Sequence, residues 1–474
     1  MSEFEDKVRA HFDAVAPTRR KWIERNRFFY ESDWRYLQFL IPAGSRVIEP
    51  GSGTGELLAK LRPSRGLGID ISPRMVELAQ ASFPDLEFRV GNIENADTLS
   101  GIDETFDYIV LSDTLGSIED CQALFARLHR LCGRDTRLII SYYSHLWEPI
   151  LALAERLGQK MPQPEQNWLA PNDISGLLGL ADFEVIGREW LQLLPERAFG
   201  LGWLVNRFLA PLPVLRKLCL RHYAIARSLQ HAEWQDLTVS VVVPCRNERG
   251  NIEGAVLRTP KLAKWQEIIF VEGNSTDGTY EECERVRAAY PDHEIQVMRQ
   301  SGKGKGDAVR KGFAAARGDI LVILDADLTV PPESLPKFIS ALSSGKGEFI
   351  NGSRLVYPFE SGAMRFLNTL ANRAFAAIFS WLLNQRFTDT LCGTKVLRKT
   401  HYDKIVANRA YFGDFDPFGD FDLIFGAAKL NLKIIEVPIR SADRRYGETN
   451  ISRFRHGWLL LRMVVFAFRK MKIA

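Results

Sequence analysis

Two aspartates that directly follow an apolar run are the residues of this chain best placed to do chemistry. The run covers residues 320–324, and Asp325 and Asp327 come immediately after it. A short apolar run predicts a buried strand, and alternate residues of an extended chain point the same way. The two carboxylates could therefore converge on one hard cation, Mg²⁺ or Mn²⁺, which prefers oxygen ligands. Such an ion can bridge two phosphates and stabilise the charge that develops on a leaving diphosphate.

Other polar residues follow neighbouring predicted elements. Residues 239–243 and 267–272 read as strands, a turn follows the second, and glycine-flanked lysines precede a helix predicted to begin near Ala308. Open α/β sheets bind ligands at the carboxyl ends of their strands, and helix N-termini suit phosphate. The residues singled out at these places are Pro244, Glu248, Glu272, Asn274, Asp277 and Lys305.

In their order along the chain, these segments resemble the inverting family 2 glycosyltransferases of the GT-A fold. Within that family they resemble the branch of dolichyl-phosphate mannosyltransferase and the bacterial polyprenyl-phosphate glycosyltransferases. The resemblance covers about residues 236–474 and includes four later segments, residues 351–354, 389–395, 436–439 and 444–450.

The resemblance implies a nucleotide diphosphate sugar as donor and polyprenyl phosphate or another lipid-linked molecule as acceptor. It implies that Pro244, Glu248 and Glu272 contact the base and ribose, and that Asp325 and Asp327 bind the metal and the diphosphate. Arg354 and Arg445 would bind the acceptor phosphate. Two departures leave the sugar nucleotide and a third metal ligand open: Glu272 and Gly273 replace two consecutive aspartates, and Thr329 replaces a glutamine.

A phosphate acceptor needs no strong protein base. A phosphomonoester is already largely anionic at neutral pH, whereas a sugar hydroxyl would need a base positioned beside it. Asp420 and Asp422 are the candidates for that base. The alternative interpretation is that they begin a helix, where the helix dipole favours acidic residues.

The first half of the chain carries a second kind of site. Residues 46–49 predict a strand, residues 50–55 a glycine-rich turn into a helix, and Asp70 ends a further strand about twenty residues later. Such a turn lets a ligand approach the backbone closely, and the acid can hold ribose hydroxyls. With residues 70–75 and the strand at 106–111, this pattern resembles the class I S-adenosylmethionine-dependent methyltransferases over about residues 4–190.

That resemblance implies S-adenosylmethionine as a cofactor. The residues expected to bind it are Glu49, Gly51, Gly53, Gly55, Asp70 and Asn92, the last in a place where relatives often have an acid. We name no catalytic base, because many such enzymes only hold the nucleophile in line with an electrophilic methyl group. Candidates for the wall of the acceptor pocket are Tyr30, Asp113, Tyr143 and His145. A domain that only senses the cofactor is the alternative.

The C-terminus predicts contact with a membrane surface and not a span. Residues 458–468 are apolar apart from Arg462, and residues 374–383 are also apolar. Both fall short of the roughly 20 residues that a spanning helix needs. Arg455, Arg462 and Arg469 recur at sevens, which would give a helix one basic stripe suited to anionic lipid. A core helix that exposes one charged stripe is the alternative.

Composition limits the classes of partner and compartment. With 62 basic and 58 acidic residues, the chain is not expected to bind nucleic acid. Its six cysteines show no paired spacing and are typical of reduced intracellular thiols. Glu3, Glu5 and Asp6 argue against a signal peptide. We therefore expect a cytoplasmic protein that associates peripherally with the inner face of a membrane.

We predict an α/β protein with two doubly wound, Rossmann-like domains and a C-terminal amphipathic helix. The predicted divisions are a methyltransferase domain at 1–190, an apolar and basic connecting segment at 191–235, a glycosyltransferase domain at 236–452 and an interfacial helix at 453–474. The connecting segment could cap the methyltransferase site, pack on the second domain or touch lipid, and the first two are favoured.

The predicted function is methyl transfer fused to metal-dependent sugar transfer onto polyprenyl phosphate. A shared substrate would give a reason for the fusion, because tethering raises effective concentration. One alternative is transfer onto a glycan or lipid-linked oligosaccharide that the first domain also methylates. Another is a glycosyltransferase half that serves only as an inactive membrane dock.

Overall fold

The chain divides into two compact units. A computed structural model describes residues 3–164, 166–230, 234, 236–354, 366–411, 421–440, 442, 444, 446 and 453–472. Unit 1 is Met1–His231 with Lys472–Ala474, and unit 2 is Ala232–Met471. Each unit is built around one seven-stranded sheet.

The sheet of unit 1 has the strand order β3-β2-β1-β4-β5-β7-β6. All of its pairings are parallel except the two made by β7. Its strands are β1 (Arg46–Pro50), β2 (Arg65–Asp70), β3 (Glu87–Val90), β4 (Phe106–Ser112), β5 (Cys132–Tyr143), β6 (Phe183–Leu191) and β7 (Arg221–Ser228).

Helices cover both faces of this sheet. Ile48 and Ile109 pack into one apolar cluster, and Val47 and Val110 pack into another. Successive residues of a strand point to opposite faces, so the near-continuous apolar strands are buried on both sides, as parallel sheets require. The helices are α1 (Glu3–Val15), α2 (Arg19–Arg25), α3 (Arg27–Leu40), α4 (Glu56–Leu61), α5 (Pro73–Ser82), α6 (Ala96–Ser100), α7 (Cys121–Leu128), α8 (Glu148–Arg156), α9 (Pro171–Leu180) and α10 (Leu201–Leu204).

Strand β7 corrects the predicted limit of the first domain. It lies inside the predicted connecting segment, yet it pairs with both β5 and β6, and unit 1 extends to His231. This strand is hard to recognise in the sequence because Arg221, His222 and Arg227 interrupt its apolar pattern, although all of its residues are buried. The first domain therefore includes most of the segment predicted as a connector.

The sheet of unit 2 has the order β10-β9-β8-β11-β13-β12-β14. Strand β13 runs antiparallel to its two neighbours, and the other pairings are parallel. The residues that precede β13 therefore lie at the edge where the parallel strands end. The strands are β8 (Val239–Cys245), β9 (Gln266–Glu272), β10 (Glu294–Arg299), β11 (Ile320–Ile323), β12 (Phe349–Ser353), β13 (Lys395–Arg398) and β14 (Ile434–Pro438).

Helices again cover both faces. Val242 and Leu321 belong to one cluster, while Val241 and Val322 belong to the other. The helices are α11 (Ile252–Leu257), α12 (Thr279–Ala289), α13 (Lys305–Ala315), α14 (Leu335–Ser343), α15 (Phe366–Leu383), α16 (Lys399–Ala407), α17 (Phe421–Lys429) and α18 (Arg453–Met471). Helix α13 begins three residues before the predicted start, so Lys305 is its first residue. The prediction of two doubly wound α/β domains is confirmed.

The C-terminal helix α18 packs part of its surface into the core of unit 2. Leu460, Met463 and Ala467 are buried in the cluster that contains Phe379 of α15, while Arg462 and Arg469 are exposed. Among the residues described, no helix is both long and apolar enough to cross a membrane. Helix α18 is thus a packed helix with an exposed basic side, and its contact with lipid stays a prediction.

Candidate active sites

The glycine-rich loop between β1 and α4 adopts backbone conformations that favour glycine. Gly51, Gly53 and Gly55 have φ angles of 83°, 51° and 82°. A Cβ on Gly51 would overlap the Thr114 side chain and one on Gly55 would overlap Phe88, whereas the space beside Gly53 is open. Because these conformations strain other residues, the loop presents bare backbone where a ligand can approach.

Asp70, at the end of β2, fixes the position of this loop. Its Oδ2 accepts a hydrogen bond from the Gly53 amide at 2.8 Å, and its Oδ1 accepts one from the Ser72 amide at 2.9 Å. Burial raises the pKa of Asp70. Glu49, at the end of β1, is 3% exposed, and its Oε2 has no hydrogen-bond partner in the described part of the chain. Burial raises the pKa of Glu49 well above its ordinary value of 4.5.

A buried acceptor without a donor is costly. Glu49 is therefore suited to an N–H or O–H group that a ligand brings, such as the amino group of S-adenosylmethionine. The buried Ser52 hydroxyl in the same loop also lacks a partner among the described residues. With the open space beside Gly53, these unpaired atoms show that the loop fits the cofactor.

One cavity collects most of the predicted cofactor residues. Gly51, Gly53, Asp70 and Asn92 line it, whereas Glu49 and Gly55 are not among the residues that line it. Helix α1 closes one side with Phe4 and Phe12. The sequence analysis did not anticipate this wall of the cavity, because nearly half of the residues of α1 are charged and the helix carries no motif.

Arg19 also lines this cavity, and the sequence analysis did not single it out. Its Nη1 donates to the Tyr30 hydroxyl at 3.3 Å and approaches the Met161 sulphur at 3.7 Å. Within the described ranges, no carboxylate lies at ion-pair distance from it. Arg19 and Arg20 stand together at a helix start, and nothing in their sequence context indicates that Arg19 alone of the two lines the cavity. The guanidinium is available to an anionic group.

Arg221, the first residue of β7, is fully buried and holds two aspartates. Its Nη1 donates to both carboxylate oxygens of Asp113 at 2.9 Å. Its Nε lies 2.9 Å from Asp33 Oδ1, and its Nη2 donates to Ser141 Oγ at 2.9 Å. Asp113 lines the cavity, so Arg221 fixes part of the cavity wall from behind.

Three of the four predicted wall residues are brought together. Tyr30, Asp113 and Tyr143 line the cavity, while His145 is exposed in the short helix His145–Trp147 and is not among the lining residues. The Tyr143 ring stacks on Phe29 with centroids 5.9 Å apart. Burial raises the pKa of Tyr143, which keeps its phenol protonated. The wall offers hydrogen bonds and a paired carboxylate to an acceptor.

In unit 2, Asp325 follows β11 and meets the first residue of α13. Lys305 Nζ lies 2.7 Å from Asp325 Oδ1. Gly393, just before β13, leaves the necessary room, because a Cβ there would overlap both the Asp325 carboxylate and the Lys305 amine. Burial would raise the pKa of Asp325, but Lys305, Lys395 and Arg354 outweigh it and hold the pKa below its ordinary value.

Asp327 and Glu248 share Arg444. Arg444 Nη2 lies 2.7 Å from Asp327 Oδ2, and its Nη1 lies 3.3 Å from Glu248 Oε1. Thr329 holds the other oxygen of Asp327, donating from its amide at 3.1 Å and from its hydroxyl at 2.9 Å. Thr329 thus positions a predicted metal ligand. The sequence analysis chose Arg445, which lies outside the described residues, and missed its neighbour Arg444.

The other predicted nucleotide residues shape loops at the same edge of the sheet. Glu272 accepts a hydrogen bond from the Ser275 amide. Asp277 accepts from the amides of Thr279 at 3.0 Å and Arg249 at 3.2 Å and from the Thr279 hydroxyl. Burial would raise the pKa of Asp277, but the hydroxyl and the two amides outweigh it and lower the pKa. Three more predicted residues are placed as follows: Asn274 is exposed with a φ of 58°, Pro244 is half-buried within β8, and Glu248 Oε2 accepts from Asn251 at 2.7 Å.

Arg354, after β12, forms a bidentate ion pair. Its Nε and Nη2 donate to the two oxygens of Asp389 at 2.8 and 3.0 Å. Asp389 is almost fully buried, while 22% of the Arg354 side chain is exposed. The pair uses one edge of the guanidinium, and Nη1 has no hydrogen-bond acceptor among the described residues.

Asp422 lies in the first turn of α17 and pairs with arginine. Arg409 Nη2 contacts its Oδ2, and Arg310 Nη1 lies 4.0 Å from the same oxygen. This geometry matches the interpretation of Asp422 as a residue that begins a helix. Asp420 lies outside the described residues, and its assignment as a base stays a prediction.

The chemistry of the donor set fits a divalent cation. Asp325 and Asp327 offer carboxylate oxygens, which magnesium and manganese prefer, and Gly393 keeps the space beside Asp325 free of a side chain. Lys305 and Arg444 neutralise the two carboxylates in the structure. A bound cation would displace Lys305 and Arg444 from the two carboxylates, or it would bind the carboxylates together with them.

The two halves of the chain match two different families. Residues 41–192 match the family model described as a methyltransferase domain, and residues 240–406 match the one described as glycosyl transferase family 2. The chain joins a methyltransferase domain to a family 2 glycosyltransferase domain. Both resemblances seen in the sequence are confirmed.

Three curated relatives are sugar transferases by name. Dolichol-phosphate mannosyltransferase of Pyrococcus furiosus is 31% identical over 220 residues, covering 45% of this chain and 59% of the relative. The protein of the same name from Saccharomyces cerevisiae is 39% identical over 109 residues, covering 22% and 40%. Undecaprenyl-phosphate 4-deoxy-4-formamido-L-arabinose transferase of Pseudomonas fluorescens is 28% identical over 223 residues, covering 46% and 61%. The matches therefore span less than two thirds of each of these relatives.

Proposed function

We propose that the glycosyltransferase domain transfers a sugar from a nucleotide diphosphate sugar to polyprenyl phosphate with the help of Mg²⁺ or Mn²⁺. The observation that carries this proposal is the cluster at the end of β11, where Asp325 meets Lys305 beside Gly393 and Asp327 meets Arg444. Two carboxylates and two cations at one strand end suit a diphosphate with its metal ion.

Each residue of the cluster has a distinct part in this proposal. Asp325 and Asp327 hold the cation, which would stabilise the negative charge of the departing diphosphate. Lys305, at the N-terminus of α13, binds phosphate oxygens as its pairing with Asp325 loosens. Arg444 connects Glu248 to Asp327, so it aligns the nucleotide side of the site with the metal side.

The acceptor is inferred from the relatives and from Arg354. Names of the relatives include dolichol phosphate and undecaprenyl phosphate, which share the polyprenyl phosphate group. Arg354 is held rigidly by Asp389 and keeps one nitrogen for a phosphate, which planar guanidinium groups bind well. A phosphate acceptor is already anionic, and this is consistent with the pairing of Asp422 to arginine.

A donor screen tests this proposal. The full chain is incubated with radiolabelled nucleotide sugars, polyprenyl phosphate and either Mg²⁺ or Mn²⁺, and lipid-linked product is counted. We expect product that disappears with chelator and in Asp327→Asn, but persists in Asp292→Asn, which changes an exposed turn residue. Transfer to a glycan without polyprenyl phosphate would favour the alternative acceptor. An absence of transfer from every donor would support an inactive dock.

We also propose that unit 1 binds S-adenosylmethionine and transfers its methyl group. The sulfonium of this cofactor makes the methyl group electrophilic, so the protein has to hold the acceptor in line with it. Asp70 would hold the ribose, Glu49 the amino group and Arg19 the carboxylate. Tyr30, Tyr143 and Asp113 would position the acceptor.

Two measurements separate transfer from sensing. Calorimetry reports binding of S-adenosylmethionine, and incubation of membrane extracts with a cofactor labelled in its methyl group reports transfer. We expect both binding and a labelled product, and Asp70→Asn should weaken both. Binding without any labelled product would support a domain that only senses the cofactor.

A further inference from the structure

We propose that residues 197–218 of unit 1, here called the β6–β7 segment, bind the headgroup region of an anionic lipid bilayer. The segment leaves the sheet after β6 and returns to it at β7. It includes α10, a π-helical turn at Val205–Leu209 and a short helix at Leu215–Leu218. The segment belongs to unit 1, whereas the C-terminal helix predicted to contact lipid belongs to unit 2. The proposal does not depend on the proposed activities.

The segment exposes an unusual concentration of large apolar side chains. Trp203 is 46% exposed, Leu201 56% and Val214 78%. Single exposed apolar residues are normal, but a contiguous group of them marks an interaction surface. The full set is Phe199, Leu201, Trp203, Leu204, Phe208, Leu209, Leu212, Val214 and Leu218.

The segment holds a defined conformation while it exposes these side chains. Asn206 donates to the Leu194 carbonyl at 2.7 Å and accepts from the Leu194 amide at 2.9 Å. Trp147 Nε1 donates to the Leu218 carbonyl at 2.9 Å. Gly202 lies so close to the Glu196 carbonyl that a Cβ would overlap it. The outward direction of the apolar residues is therefore a property of the folded unit.

The charge of the β6–β7 segment indicates that its partner is anionic. The segment has four basic residues and no acidic residue. Arg216 turns toward Glu189, whereas Arg197 and Lys217 are exposed. The Arg207 guanidinium lies 5.1 Å from the Trp203 ring centre and 6.0 Å from that of Phe208. Basic residues interleaved with aromatic and aliphatic ones are typical of surfaces that lie in the headgroup region.

A second copy of the chain fits this surface less well. A symmetric dimer contact would place the same surface against itself, and basic residues without acids would then repel each other. An anionic bilayer instead attracts each basic residue and accepts the apolar side chains, and each charge is expected to add on the order of fivefold to binding.

Vesicle binding by the full chain tests the proposal. Sedimentation with phosphatidylcholine vesicles and with mixed phosphatidylcholine and phosphatidylglycerol vesicles measures partition. We expect strong binding only to the mixed vesicles. The double variant Trp203→Glu/Phe208→Glu should lower that binding at least about tenfold, whereas Leu180→Glu, an exposed leucine of α9, should leave it unchanged.

Two further measurements exclude other causes. An unchanged circular-dichroism spectrum and thermal midpoint show that the double variant is folded, and Trp458→Glu measures the contribution of α18, where Trp458 is exposed. The proposal is overturned if the double variant binds mixed vesicles as wild type does, or if Trp458→Glu alone abolishes binding. Equal binding to neutral vesicles, or a change of oligomeric state in the double variant without a change in vesicle binding, would also overturn it.

Discussion

Replacing Gly393 with alanine tests the site at the end of β11 most directly. The added Cβ would overlap the Asp325 carboxylate and crowd the Lys305 amine. The backbone itself should accept alanine, because Gly393 is not among the residues with positive φ. The perturbation is therefore confined to the two charged side chains that meet there.

The expected losses of stability and of rate follow from the displacement of the Asp325 and Lys305 side chains. Overpacking of this kind costs about 1–3 kcal/mol of stability, and Lys305 can relieve part of it because its side chain is flexible. Catalysis should suffer more, since a displacement of ~1 Å in a reacting group costs about 100-fold in rate. That loss corresponds to roughly 2.7 kcal/mol of transition-state stabilisation. At roughly 2–4 °C per kcal/mol for a unit of this size, the thermal midpoint should fall by about 2–12 °C, and by less where Lys305 relieves the overlap.

The assay is kcat/KM for sugar transfer, measured across a titration of Mn²⁺ and accompanied by thermal unfolding. We expect Gly393→Ala to lower kcat/KM about 100-fold and to raise the Mn²⁺ concentration that gives half of the maximal rate. Gly176→Ala is the control, since a Cβ on this glycine of α9 would meet no heavy atom within 4 Å and its φ is not positive. If Gly393→Ala kept the wild-type rate and metal response, the assignment of this cluster to the diphosphate would be refuted.

Three predictions concern unit 1. Arg19→Gln should weaken binding of S-adenosylhomocysteine in calorimetry by about 10-fold or more, the value of a hydrogen bond to a charged group, while Arg20→Gln, its exposed neighbour, should not. Burial raises the pKa of Glu49 above its ordinary value of 4.5, so protonation of this carboxyl favours the folded state. This contribution to stability is complete below pH 4.5 and is lost as the pH rises through the raised pKa. Glu49→Gln should therefore raise the thermal midpoint of the cofactor-free protein at neutral pH, but not near pH 4, and it should weaken cofactor binding; an equal gain at both pH values would contradict this cause. Arg221→Gln leaves the buried Asp33 and the half-buried Asp113 without their shared cation and should lower the free energy of unfolding by about 3–5 kcal/mol. Arg27→Gln, which breaks an exposed pair, should lower it far less; equal losses in a denaturant titration would show that the Arg221 network does not stabilise the fold.

The sequence predicted those parts of the sites that follow directly on a strand. Asp70 and Asp325 were singled out because an apolar run places the next polar residue at the ligand-binding edge of the sheet, and the structure has both at the ends of strands. The glycine-rich loop was found because its spacing forces a bare turn, which the φ angles of Gly51 and Gly53 show.

Residues that reach a site from other parts of the chain do not follow an apolar run, so no sequence pattern indicated them. Arg19 enters the cavity from a helix start that resembles a surface segment. Nothing in the sequence set Arg444 apart from its neighbour Arg445. Strand β7 was missed because Arg221 is a buried charge, and its partners Asp33 and Asp113 lie more than a hundred residues away in sequence. Such pairings depend on tertiary contacts, which periodicity does not report.

The register of β6 and β7 places the return of the β6–β7 segment next to the cavity that Asp113 lines. Leu191 and Arg221 are paired across the two strands, and Arg221 donates to Asp113. Two buried residues, Cys219 and Leu220, separate the end of the segment from Arg221. A substitution that displaces this end of the segment therefore acts within three residues of the arginine that positions Asp113.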